Sequence, residues 1–147
     1  MNDSSRPMVA LIACASRKRD RAAPARDLYI SPLFRLSMRY AEAQGADQIF
    51  ILSAKHGLLD PATVIEPYNL SLNKMSASDV RRWAERVIAD LSKVVDLDKS
   101  RFLILAGQRY RAHLLPRLPN CEISLAGLSI GQQLRYLSRA TQLDSAA

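Results

Sequence analysis

Three short and almost wholly apolar segments, Met8 to Cys14, Gln48 to Ser53 and Arg101 to Ala106, constrain what this chain can fold into more than any other feature. A strand with one face in water alternates apolar and polar residues, whereas a strand covered on both faces reads as a continuous apolar run. Each segment stops abruptly on small, cationic or glycine residues, and stretches of helical periodicity lie between them. That alternation is the pattern of a mainly parallel sheet with helices on both faces.

The helices have recognisable starts. Ser31-Pro32 pairs a capping residue with a proline suited to the first helical position; Phe34, Met38 and Ala41 then share one face, and Gly45 supplies the stop. Ser76 and Asp79 have capping-box spacing ahead of the clearest stripe in the chain: Val80, Trp83, Ala84, Val87, Ile88 and Leu91. This spacing assigns Trp83 to the core and not to base stacking. Gly107-Gln108-Arg109-Tyr110 opens a short helix before Pro116, and a fourth strand is predicted at Glu122 to Leu125. Ser129 with Gln132 leads a last helix whose inner face carries Ile130, Leu134 and Leu137. Arg17 to Ile30 reads as a loop, and Pro61 and Pro67 interrupt the connection after the second strand. The order β-α-β-loop-α-β-α-β-α predicts one three-layer α/β domain over residues 8–143. Its mainly parallel sheet has about four strands flanked by helices, with disordered tails at 1–7 and 144–147.

A chain of 147 residues with 48% hydrophobic content fits one core and not two. No apolar run spans a bilayer, and the polar start from Met1 to Pro7 lacks a secretory segment, so the expected compartment is the cytoplasm. Cys14 and Cys121, both in apolar strand-like segments, are too few for a disulfide framework or a four-thiolate zinc site and read as reduced and structural. No dense His and carboxylate cluster suggests a metal, and no phosphate loop, dinucleotide fingerprint or Gly-x-Ser-x-Gly elbow suggests a cofactor or a serine hydrolase.

The net charge of +7 favours an anionic partner. Arg17, Lys18, Arg19 and Arg21 follow the first strand, and Arg101, Arg109, Arg111 and Arg117 surround a later one. Two readings stay open for them, solvated basic loops or a phosphate-contacting face.

Ligands of parallel α/β folds bind at the carboxyl ends of strands. There the chain places Ala13-Cys14-Ala15-Ser16-Arg17-Lys18, Ser53-Ala54-Lys55-His56-Gly57 and Ala106-Gly107-Gln108-Arg109-Tyr110. If the three strands are adjacent, these ends form one pocket whose small residues admit a flat ligand, and the amides opening the Gly107 helix are available to an anion. The expected pocket comprises Ser16, Lys18, Ser53, Tyr68, Gln108 and Tyr110, with Arg17, Arg19 and Arg109 as nucleic-acid or phosphate contacts. His56, Lys55 and Glu66 are the catalytic candidates. In this scheme Lys18 and Lys55 hold phosphate, Gln108 reads a base edge, Tyr68 stacks and His56 moves a proton. Glu66 or Asp60 would stabilise an oxocarbenium-like sugar in cleavage of an N-glycosidic bond. Against these stand plain structural roles: a turn for Asp60-Pro61, a surface charge for Lys55, a capped turn for His56 and a peripheral position for His113.

The run Leu52 to Pro61 followed by Glu66-Pro67-Tyr68-Asn69-Leu70 resembles a widespread bacterial family of small uncharacterised domains. Cys14-Ala15-Ser16-Arg17-Lys18, the segment Leu28 to Phe34 and the turn and helix from Gly127 to Leu134 are similar to that family's other motifs. More distantly, the Gly-Leu-Leu-x-Pro and Pro-Tyr portions resemble the YaaA peroxide-stress family, which implies DNA binding and protection against oxidative damage. Three hypotheses follow. The first is a protein acting on a nucleobase, nucleotide or nucleic acid, possessing a pocket at the strand ends. The second is a non-catalytic DNA-binding stress protein using its basic loops, and the third is a small-molecule binding module.

Overall fold

The computed structural model describes residues 6–146, with side chains described to residue 141. The tail expected over 1–7 falls mainly on residues outside this range, as does residue 147.

The first apolar segment forms β1 (Met8–Ala13) at the centre of a five-stranded sheet. It pairs in parallel with β3 (Gln48–Ser53) on one side and β6 (Arg101–Leu105) on the other. Its alternate residues feed opposite cores, as the period of two requires. Met8, Ala10 and Ile12 pack with Phe34, Met38 and Ala41, whereas Val9 and Leu11 pack with Trp83, Val87 and Leu91. Each large apolar side chain buried in these cores contributes about 1.5–3 kcal/mol relative to exposure. The outer layers are α2 (Pro32–Ala43) and α5 (Ile130–Ala146) on the first face and α3 (Ala77–Ser92) on the second. No helix among the described residues is long and apolar enough to cross a membrane.

Capping follows the sequence at two helices out of three. The Ser76 hydroxyl accepts the Asp79 N–H at 3.2 Å, and Ser129 and Gln132 cap one another reciprocally, at 2.9 and 3.3 Å. Ser31 has the extended backbone of a cap and Pro32 follows it, yet the Ser31 side chain makes no capping bond.

Several elements depart from the expected pattern. The residues after β3 turn back at once: Ala54-Lys55-His56 form a three-residue loop, Gly57 takes φ +70°, and β4 (Gly57–Leu59) pairs antiparallel with β3. Three-residue hairpins place a left-handed residue there, which glycine adopts without steric cost. The fourth parallel strand is only β7 (Cys121–Glu122), because Ser124 to Gly127 form a turn. The loop from Arg17 to Ile30 holds β2 (Ala23–Pro24) and the single-turn α1 (Ala25–Leu28). β2 pairs with β5 (Val64–Ile65), and the Ala25 and Arg26 amides donate to the Thr63 and Pro61 carbonyls. This ribbon draws the connection carrying Tyr68 against the loop after β1. Ile130, expected on the inner face of α5, is 64% exposed at the first position of that helix. Cys121 is likewise exposed on the edge strand, and both cysteines are free thiols.

Candidate functional site

The sheet order β4-β3-β1-β6-β7 makes the carboxyl ends of β3, β1 and β6 direct neighbours. The chain leaves β1 toward β3 and later crosses to β6 on the other side. The β1/β6 boundary is therefore the topological switch point, where open parallel sheets form a crevice.

Tyr68 is the hub of this edge. Its hydroxyl lies 2.6 Å from the Tyr29 hydroxyl and 2.8 Å from the Ser53 hydroxyl, and Ser53 Oγ also accepts the His56 N–H at 3.0 Å. The His56 ring meets the Tyr68 ring edge-on at 5.6 Å. Lys18 Nζ sits 4.4 Å from the Tyr68 ring centroid and 5.7 Å from that of Tyr29, and Lys55 Nζ stands 6.0 Å from Tyr68. The geometry explains the sequence: Lys18 bridges to Tyr29 across the loop after β1, and Ser53 ends β3 at its pairing with Gly57. Since Lys18 occupies a face of the Tyr68 ring, Tyr68 is a node within a cluster and not the open stacking platform expected for it.

Burial sets the electrostatics. It pushes the Tyr29 phenol up to about 12 and raises Tyr68 and Tyr110 as well, so all three remain protonated at neutral pH. Burial also lowers Lys18, an effect opposed by Cys14 nearby. For His56, burial and then the charges of Lys55 and Arg86 hold the imidazole below its usual value. The site thus offers a neutral imidazole, two ammonium groups and a chain of hydroxyls that can donate in either direction.

A second group adjoins the first through Cys14. Its thiol lies 3.4 Å from the Tyr110 hydroxyl, Tyr110 meets Trp83 edge-on at 5.6 Å, and Trp83 Nε1 donates to the Ser53 carbonyl at 2.8 Å. Cys14 also lines the switch-point crevice, a space of about 80 Å³ shared with Ser31, Ser37, Gly107, Arg111 and Gln133. Ligand pockets run to about 300–1,000 Å³, so the crevice suits a small group and not a whole nucleoside. α4 (Gln108–Arg111), the helix expected to offer its amides to an anion, has only four residues. Arg111 Nη1 instead donates to the Ala106 carbonyl at 2.9 Å.

The structure brings together Lys18, Ser53, Lys55, His56 and Tyr68, with Tyr110 one step away through Cys14. It does not bring the others in. Arg109 is a clamp, donating to the Leu72 carbonyl at 2.7 Å and the Met75 carbonyl at 2.5 Å, because α4 packs against the turn at Leu72–Lys74. Arg19 Nε is held by the Asp27 carbonyl at 2.8 Å. Ser16, Arg17, Glu66 and Gln108 are exposed; Ser16 touches the cluster only through its backbone carbonyl, which accepts from Lys18 Nζ at 3.3 Å, and the Glu66 carboxylate pairs with no cation among the described residues. Asp60 caps its own turn by accepting the Ala62 N–H at 2.8 Å.

Tyr29 and Arg86 are members that sequence reasoning missed. Tyr29 lies at the end of a stretch without periodicity. Arg86 comes from the polar face of α3, where its Nη2 donates to the Lys55 carbonyl at 3.3 Å. No group of three or more His, Cys, Asp or Glu side chains among the described residues is placed to hold a metal ion.

No curated protein and no solved structure matches the chain. A family model does match, over residues 9–139, and by that match the chain belongs to a family of unknown function, DUF6884.

Proposed function

We propose that the protein binds a nucleotide, free or as a unit of a nucleic acid, at the carboxyl edge of its sheet. The observation that carries this reading is the convergence of Lys18, Tyr68 and His56 from three separate segments: Lys18 and the His56 ring lie against the Tyr68 ring, and the Tyr68 hydroxyl and His56 N–H meet at the Ser53 hydroxyl. Ammonium groups beside aromatic rings suit an aromatic anion, which takes charge neutralisation from Lys18 and Lys55 and ring contact from the exposed His56 imidazole. The net charge of +7 and the resemblance of the central motif to the YaaA peroxide-stress family point the same way. His56, neutral and exposed at the hairpin tip, is the group in this cluster able to accept a proton from a bound ligand. Cleavage of an N-glycosidic bond further calls for a carboxylate at the sugar; the Asp60 carboxylate is engaged by the Ala62 N–H, and Glu66 is exposed outside the cluster. Binding, with His56 as the proton-transfer candidate, is therefore the reading that the geometry supports best.

The test is a titration of nucleosides and nucleoside monophosphates against the folded protein by thermal shift. A ligand at 100 times its dissociation constant stabilises by about 2.7 kcal/mol. Monophosphates should stabilise more than nucleosides, and Lys18→Met should weaken the monophosphates by about 10- to 100-fold, the worth of a charge-assisted bond. The reading fails if no nucleoside monophosphate raises the melting temperature at millimolar concentration.

A further inference from the structure

A groove on the α2 face, with a volume of about 350 Å³, is lined by Arg19, Arg26, Arg35 and Arg39 together with Asp27 and Glu42. The four arginines come from three pieces of chain: the loop after β1, α1 and α2. Arg26, Arg35 and Arg39 are exposed and form no ion pair or hydrogen bond through their guanidinium groups among the described residues. Arg35 and Arg39 stand four apart on one helix, a like-charge spacing that costs about 0.2–0.5 kcal/mol in an isolated helix. Glu42, three residues beyond Arg39, is not within ion-pair distance of it. The groove therefore holds an excess of positive charge that the protein leaves unneutralised.

This groove begins where the Tyr68 cluster ends. Lys18 and Arg19 are consecutive, and their backbone runs extended against α1: Lys18 bridges to Tyr29, and the Arg19 N–H donates to the Leu28 carbonyl at 2.9 Å. Successive side chains of extended backbone point to opposite sides. Lys18 accordingly reaches the Tyr29 and Tyr68 rings, while Arg19 turns into the groove, held by the Asp27 carbonyl. A single dipeptide joins the two sites.

We propose that the arginine groove is the backbone track of a single-stranded nucleic acid, one of whose nucleotides enters the Lys18–Tyr68 cluster. The inference rests on the nucleotide reading of that cluster and names its ligand as a polymer. Unpaired guanidinium groups match successive phosphates. A base must leave a duplex stack before it can approach the half-buried Tyr68 ring, and a single strand presents its bases already unpaired.

The test measures binding of a labelled mixed-sequence DNA octamer, its RNA counterpart, the octamer duplex and a nucleoside monophosphate across a salt series. The wild-type protein is compared with the triple variant Arg26→Gln, Arg35→Gln, Arg39→Gln and with each single variant. The octamer should bind more tightly than the monophosphate. The slope of log affinity against log salt should fall by about 2 in the triple variant and by about 0.7 in each single variant. Monophosphate affinity should stay unchanged, and the singles keep the test open if the triple variant does not fold. An unchanged salt slope, an octamer no tighter than the monophosphate, or a duplex bound as tightly as the single strand would each overturn the track while leaving the nucleotide reading standing. Failure of monophosphate and octamer alike would remove the nucleotide reading itself, and the track with it.

Discussion

Replacing Tyr68 by phenylalanine removes one oxygen and keeps the ring, which isolates the value of the hydroxyl network. In the native protein that oxygen joins the Tyr29 and Ser53 hydroxyls, at 2.6 and 2.8 Å. Both partners belong to residues with 0% exposure, so neither recovers a bond from bulk water. Ser53 Oγ keeps the His56 N–H, whereas Tyr29 loses its 2.6 Å bond and keeps only its weaker interaction with the Ser53 hydroxyl. A buried polar group deprived of its bond costs about 1–3 kcal/mol. Tyr68→Phe should therefore destabilise by about 2 kcal/mol, which for a domain near this size lowers the melting temperature by about 4–8 °C. The decisive comparison adds Tyr29→Phe, because removing both hydroxyls leaves no orphan on that bond. Urea unfolding of the four proteins in the cycle should show the double variant less destabilised than the sum of the singles by at least about 0.5 kcal/mol. Additive losses, or a Tyr68→Phe protein as stable as wild type, would refute the network.

Gly57→Ala should cost about 1–2 kcal/mol by urea unfolding, since φ +70° is disfavoured for an L residue and the new methyl would meet Arg86 Nε at 3.0 Å; a neutral substitution would show that the hairpin turns otherwise. His56 should titrate below its ordinary 6.5 in an NMR pH series, and Lys55→Ala or Arg86→Ala should raise its midpoint. Because its folded pKa lies below the unfolded one, the unfolded chain takes up the proton first as pH falls through 6.5; stability should decline on the acid side of that value and be unaffected by His56 above it. The buried phenols act at the other extreme: with Tyr29 raised to about 12, its stabilising share is complete below pH 10 and is lost as pH rises through 10 to 12, which alkaline unfolding monitored by tyrosinate absorbance will follow. Arg109→Ala should lower stability by about 1 kcal/mol through loss of the Leu72 and Met75 carbonyl bonds, and leave the salt dependence of any oligonucleotide binding unchanged.

Those parts of the fold governed by local periodicity could be read from the chain. All six apolar residues of the α3 stripe are buried, and the Ser129–Gln132 spacing became a reciprocal cap. The adjacency of β1, β3 and β6 was a condition and not a result of the sequence reading, because a doubly covered strand carries no mark of its neighbours; the sheet order supplies it. The hairpin after β3 escaped because Gly57-Leu58-Leu59 is too short to show a period, and because a glycine after a polar turn is equally at home in an open loop. Tyr29 escaped for a different reason: its burial depends on Tyr68, 39 residues away, and on the β2/β5 ribbon, which no window along the chain contains. The basic residues were visible but their grouping was not. Arg26, Arg35 and Arg39 lie on two helices, whereas Arg109, conspicuous beside a strand end, is spent on backbone carbonyls.

Trp83 makes the carboxyl edge of the sheet optically legible. It is the only tryptophan in the chain, it is 4% exposed, and its indole N–H is bonded to the carbonyl of the residue that opens the His56 hairpin. Indole emission responds to the strength of that bond and to the neighbouring Tyr110 ring. The wild-type protein therefore carries its own reporter, and the titrations that test the Tyr68 cluster can be read by fluorescence without a label on either partner.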